Sequence, residues 1–347
     1  MISNPLPLLF PLLFLTFSAA TCFAADAHSI ARLGGQMDAK AKTTVEQQVA
    51  KNPQDIESRT KLLGYYFMNG RMDPDAKSEK RRHVLWLIKN APESEILGLP
   101  YSLLDKHLDP EGYGNAREAW LKLTEQSKNL QVLANASQFF LLGDRSIAEE
   151  LLRKGQRLDA ENPSWSKSLG QLYSLGLFSV TDQGQRKQLA EKAFQQFDIA
   201  YHRSSTIEKD SLLESLAKSA LEAGRMDDAK RFAEEMLEND EAGWNRGNRI
   251  HHGNLTLGRI ALREGDVNEA KSRLLSAGKT PGSPQLNSFG PNMQLAKELL
   301  EQGETEVVLE YFALCDKFWK SPQRKLEQWI EDVKANRTPQ FGGNLAY

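Results

Sequence analysis

Apolar residues recur along most of this chain at steps of three, four and seven, which places them on one face of a helix, and period-two alternation is scarce. The pattern predicts helices and few strands. Four short blocks punctuate it: Gly143-Asp144 leading to Ala148, Gly224-Arg225 to Ala229, Gly265-Asp266 to Ala270, and Gly303-Glu304 to Val308. Each lies between two amphipathic runs, with its glycine five residues before a small or modest apolar residue. The glycines are separated by 81, 41 and 38 residues, so one repeat is expected inside the first gap. Leu169, Gly170 and Tyr173, followed after an insertion by Ala193, Phe197 and Ala200, supply it.

The best-formed unit carries Leu257, Gly258 and Ala261 on a first helix, then Ala270, Leu274 and Ala277 on a second. In this spacing the chain resembles the tetratricopeptide repeat (TPR) family, whose helix A reads W-x-x-L-G-x-x-Y and helix B A-x-x-x-F-x-x-A. Small residues at the close crossings let the axes approach, and large ones fill the gaps between them. Neighbouring units use Leu213, Leu216, Ala217 and Ala220 with Ala229, Ala233 and Met236, and then Leu295, Ala296 and Leu299 with Val308, Phe312 and Cys315. Earlier ones use Val132, Ala136 and Phe139 with Ala148, Leu152 and Gly155, and before them Leu103 and Leu104 with Ala116, Trp120 and Leu123. The first runs from Leu62, Leu63, Tyr66 and Gly70 to Trp86.

The resemblance implies an all-α fold, a right-handed superhelical solenoid of antiparallel helix pairs. About seven TPR-like repeats are expected over 56–320, after an N-terminal capping segment at 25–55. A C-terminal capping helix is expected at 321–337, where Leu326, Trp329, Ile330 and Val333 form an apolar stripe, and a flexible tail at 338–347.

The first residues follow a different pattern. Leu6 to Phe17 is almost wholly apolar, small residues follow, and after Ala24 the chain turns polar. Residues 1–24 are expected to be a secretory signal peptide, giving a periplasmic or secreted protein; a lipoprotein anchored through Cys22 is the minor alternative. The run is too short to span a bilayer comfortably, and no other segment is apolar for long enough, so no membrane span is expected. Cleavage after Ala24 would leave Cys315 as the one cysteine, unable to form an internal disulfide. A net charge of −2 gives no global field favouring nucleic acid, which is therefore not expected as a partner.

No catalytic spacing survives its context. Gly278-Lys279-Thr280 ends like a phosphate-binding loop, but Arg273 stands where the first glycine belongs and a helix precedes it instead of a strand. His251 and His252, adjacent on a helix, point about 100° apart and suit a half-buried helix start better than a shared ion. Cys315 occupies a small packing position and is expected to be inert. Of the sequons at Asn135, Asn254 and Asn336, only the last lies off a predicted packing helix. Neither an enzyme, a cofactor nor a bound metal is expected.

The resemblance places a binding surface on the concave face, at helix A positions that do not pack. In register with the repeat, one such position carries Ser137, Gln171, Lys218, Arg259 and Lys297, with Arg263 one turn beyond Arg259. Lys218, Arg259 and Lys297, with Arg263 beside them, form a candidate basic ladder suited to acidic groups. The plainer alternative is solvated surface charge, and Lys218 has Glu214 and Glu222 at i±4 to pair with. The Pro- and Gly-rich stretch Gly278 to Pro291 is expected to be non-helical. It is either a connector burying Leu286 and Phe289 or a binding loop beside His252 and Asn254. The function these residues suggest is an exported scaffold binding a protein or peptide partner; the alternative is a self-associating module of the cell envelope.

Overall fold

The computed structural model describes residues 26–70, 73, 75–239, 241–320 and 324–345. The expected signal peptide and Cys22 lie outside them. The described chain holds seventeen α-helices and no strand, which is the all-α class expected, and it divides into two compact units. None of its helices is long and apolar enough to cross a membrane.

The N-terminal unit, 26–172, contains α1 (Ala27–Gly35), α2 (Ala39–Lys51), α3 (Ile56–Asn69), α4 (Ala76–Asn90), α5 (Pro110–Thr124), α6 (Leu130–Phe140), α7 (Arg145–Leu158) and most of α8 (Pro163–Gly176). Short polar residues start these helices. Asp26, Asp38, Asp55, Asp109 and Asn129 each accept a hydrogen bond from the backbone N–H three residues on. The Gly34-Gly35 stretch ends a helix, α1, whose small face lies directly on the backbone of α3: a side chain at Gly34 would collide with the Lys61 carbonyl, and one at Gly64 with that of Ala31. The helix A expected around Leu103 and Leu104 is absent. Glu95–Gly98 and Pro100–Ser102 form single 3-10 turns there, because Gly98 and Pro100 interrupt a continuous helix.

The C-terminal unit, from residue 173, contains the end of α8, α9 (Gln183–Arg203), α10 (Thr206–Ala223), α11 (Met226–Glu238), α12 (Arg246–Glu264), α13 (Val267–Gly278), α14 (Pro284–Phe289), α15 (Gln294–Glu301), α16 (Thr305–Cys315) and α17 (Lys325–Lys334). Here α10 pairs with α11, α12 with α13 and α15 with α16, and each helix A packs on the next. The repeat glycines Gly224, Gly265 and Gly303 have φ of 80°, 86° and 84°, the left-handed turn for which their spacing called. Gly143 does not share this conformation; its missing side chain makes room for the Tyr113 ring.

The core of this unit joins Leu274, Ala296, Tyr311, Phe312 and Trp319 with the α17 residues Leu326, Trp329 and Val333. The tail, expected to be flexible, is docked. Phe341 is buried against Phe312 and Trp329, and Asn344 donates to the carbonyls of Phe289 and Pro291. The stretch expected to be non-helical forms α14, since Pro284 sits in the first turn, where no N–H is needed, and Ser283 caps it. Leu286 is buried, while Phe289 stays half exposed.

Candidate partner-binding face

In the C-terminal unit α10, α12 and α15 carry the candidate cations, and all but Lys297 meet one of two glutamates on α10. Lys218 donates to Glu214 at 2.6 Å, and the His252 Nε2 lies 3.5 Å from the same carboxylate. Burial alone would raise the Glu214 carboxyl, but the charge and hydrogen bond of Lys218 help hold it below its ordinary value. Around Glu222, three guanidiniums converge: Arg186 at 3.3 Å, Arg259 at 3.2 Å and Arg263 at 3.9 Å.

Arg259 also grips Glu298 of α15, its Nε and Nη2 donating at 3.0 and 2.8 Å, and Gln294 donates to that carboxylate at 3.0 Å. Burial would lower the Arg259 pKa, but the two glutamates hold it above its ordinary value. Arg263 donates to the Leu221 carbonyl at 2.6 Å; burial first, then the charge of Arg259, lowers its pKa. Lys297 lies 3.6 Å from Glu301. Leu262, Arg263, Glu298, Glu301 and Gln302 line a cleft of about 320 Å³ beside this network.

The basic ladder is therefore corrected to a mixed-charge network. Lys218, Arg259, Arg263 and Lys297 each have an acidic neighbour, and His252 is buried. Glu298, Arg186 and Gln302 were missed, and Glu222, expected beside Lys218, pairs with arginines instead, because a repeat register tracks one position per helix while partners also come from neighbouring helices. The pairing of Lys218 with Glu214 was legible, being i,i+4 on one helix. Ser137 and Gln171 belong to the N-terminal unit and are buried.

The remaining candidates are accounted for by packing. Thr280 of the Gly-Lys-Thr sequence is buried and donates to the Gly247 carbonyl. Cys315 is buried, which pushes its thiol up. Asn135 and Asn254 are buried, whereas Asn336 is exposed.

A second cluster, unforeseen in the sequence, lies in the N-terminal unit. Glu46 of α2 and Glu79 and His83 of α4 bring ligand-type atoms within 4.8 Å of one another, as a metal site would. The Arg82 guanidinium, 2.7 Å from Glu46 and 2.5 Å from Glu79, already supplies the positive charge between them. Arg59 donates to His83 Nδ1 at 3.0 Å and stacks on Trp86, and His83 Nε2 donates to Glu46 at 3.0 Å. This is an ion-pair cluster closed on itself.

No family model matches the chain, and no curated protein matches it. Solved structures do. Human IFIT1 dimers with PPP-AAAA and with m7Gppp-AAAA each show 17% identity, a TM-score of 0.46 and 86% of this chain covered. A monomeric IFIT1 mutant with Gppp-AAAA shows 18% identity, a TM-score of 0.50 and 89% covered. The likeness is one of fold. The match at a TM-score of 0.50 supports a TPR-type array of helix pairs, and this chain spans 66%, 65% and 68% of those three. It also overturns the exclusion of nucleic acid, since a protein of this fold is solved with the capped oligonucleotide Gppp-AAAA. Net charge is a whole-molecule quantity and does not decide what a local groove holds.

Proposed function

We propose that this chain is a TPR-type scaffold, exported and without catalytic chemistry, that binds a protein or peptide partner on the face formed by α10, α12 and α15. The observation carrying this reading is the ordered network of Glu222, Arg259 and Glu298 beside the cleft at Leu262, Arg263 and Gln302. Side chains fixed by their neighbours lose little freedom on binding and present donors and acceptors at set positions. Charges of both signs favour a partner read by matched hydrogen bonds over one held by bulk attraction. The apolar leader at Leu6–Phe17 supports export.

The test is site-specific photo-crosslinking from position 302, at the cleft, and from position 230 on α11 as a control, in cells expressing the full chain. A protein crosslinked from 302 and absent from 230 is the expected result. Crosslinks to oligoribonucleotide only would replace a protein partner with nucleic acid. A product containing only this chain would favour a self-associating envelope module. N-terminal sequencing of the mature protein should begin at Ala25; an intact leader would remove export.

A further inference from the structure

His251, on α12, is buried where α13, the connector 279–293 and α16 meet. Its Nδ1 donates to the Ala277 carbonyl at the end of α13, at 3.1 Å, and its Nε2 accepts from the Asn292 backbone N–H, at 3.1 Å. Asn292 in turn accepts from the Tyr311 hydroxyl of α16 at 2.9 Å and from the Gln294 N–H that opens α15 at 2.8 Å. A ring that donates from one nitrogen and accepts at the other is neutral by construction. A second proton would go on Nε2 and confront the Asn292 N–H, donor against donor. His252, also buried, stacks edge-on against it with ring centroids 5.0 Å apart, and its Nδ1 makes no hydrogen bond.

We propose that His251 and His252 form an acid-sensitive latch: protonation releases the connector 279–293 from α12 and, with it, the start of α15 that carries Lys297 and Glu298. The last step rests on the function proposed above; the latch itself does not.

The charges acting on the two rings come from Glu214 and Lys218 of α10, opposite in sign. Residues 280–293 carry no charged side chain; α13 presents a carbonyl, α16 the Tyr311 phenol, and Phe318 a ring 6.4 Å from His251. Burial, the largest influence, lowers His251 to about 4 and His252 well below its ordinary value, and Glu214 offsets only part of it. Both folded values are depressed, so the released form binds more protons. The latch is fully closed above the ordinary histidine value of about 6.5 and weakens as the pH falls below it, by about 100-fold per pH unit while both rings titrate on release.

Hydrogen exchange on the full chain, corrected for intrinsic rates, tests this between pH 7.5 and 4.5. Protection of 279–293 should fall steeply below pH 6.5 while that of α11 holds. His252→Gln, which removes no hydrogen bond to the connector, should reduce the slope to about tenfold per unit; His251→Gln should lower protection already at pH 7.5. Connector protection constant across the range would overturn the latch. So would loss in step with α11, which would mean global acid unfolding. Partner binding enters none of these readouts, so the latch and the proposed function fail separately.

Discussion

Arg82 in the N-terminal unit and Arg259 in the C-terminal unit each bridge two carboxylates, yet their surroundings differ. Arg82 is half exposed, and one of its glutamates, Glu46, is tied to Tyr66 and His83 inside one cluster. Arg259 is 13% exposed, and its glutamates come from the repeats on either side of its own. The first arrangement closes on itself; the second fastens one repeat to the next beside an open cleft. A bridging arginine is thus a local tie in one unit and an inter-repeat bolt in the other, and substitution separates the roles.

The largest effect is expected at Arg259. Arg259→Ala leaves Glu298 partly buried with no cation while Glu222 keeps Arg186 and Arg263, which costs about 3 kcal/mol, read as a lower urea midpoint. Replacing Arg259, Glu222 and Glu298 together by Leu should recover most of that loss, because no carboxylate is then stranded. A triple variant as unstable as the single one would show that the bolt works through packing rather than charge.

Glu46 comes next. Burial would raise its carboxyl, but the bonds to His83 and Tyr66 and the charge of Arg82 hold it at about 2. The folded value is depressed, so its contribution is complete above the ordinary glutamate value of 4.5 and is lost as the pH falls towards 2. Glu46→Gln should cost about 2 kcal/mol at pH 7 and only about a quarter of that at pH 2.5. Equal losses at both would mean the side chain serves by shape.

The helix pairs of the C-terminal unit were legible because a glycine turn and two helix faces are local patterns. In the N-terminal unit, Gly98 and Pro100 break a helix whose apolar positions still match the repeat, so the pattern survived where the helix did not. The site was half legible. Arg259 and Lys297 were found by register, but Glu222 and Glu298 reach Arg259 only through packing, and a ladder of cations became a mixed network. The docked tail was missed for a related reason: Phe341 in a polar segment declares nothing until Phe312 and Trp329 surround it.

The repeat turns sharpen the comparison at about 1 kcal/mol. At Gly265 nothing stands within 4 Å of an added Cβ, so Gly265→Ala pays only for φ of 86°. Gly143→Ala meets the Tyr113 ring instead. Thermal melts should show Gly143→Ala with Tyr113→Ala losing less than the sum of the two single changes, since Tyr113 is itself buried against Phe139, and Gly265→Ala rescued by Asn, which tolerates the left-handed region.

The smallest effect is expected at Lys297. Its side chain is 37% exposed and its carboxylate neighbour 55%, so solvent screens the 3.6 Å pair and holding two long chains together offsets much of the attraction. Lys297→Ala should change stability by less than about 0.5 kcal/mol, whereas Arg259→Ala costs several times more. That contrast makes Lys297 the cation on this face that can be removed without disturbing the fold. In the crosslinking assay from position 302, a weakened product in Lys297→Ala with an unchanged melt would mean that the partner takes over the place of Glu301. An unchanged product would confine recognition to the cleft and the network behind it.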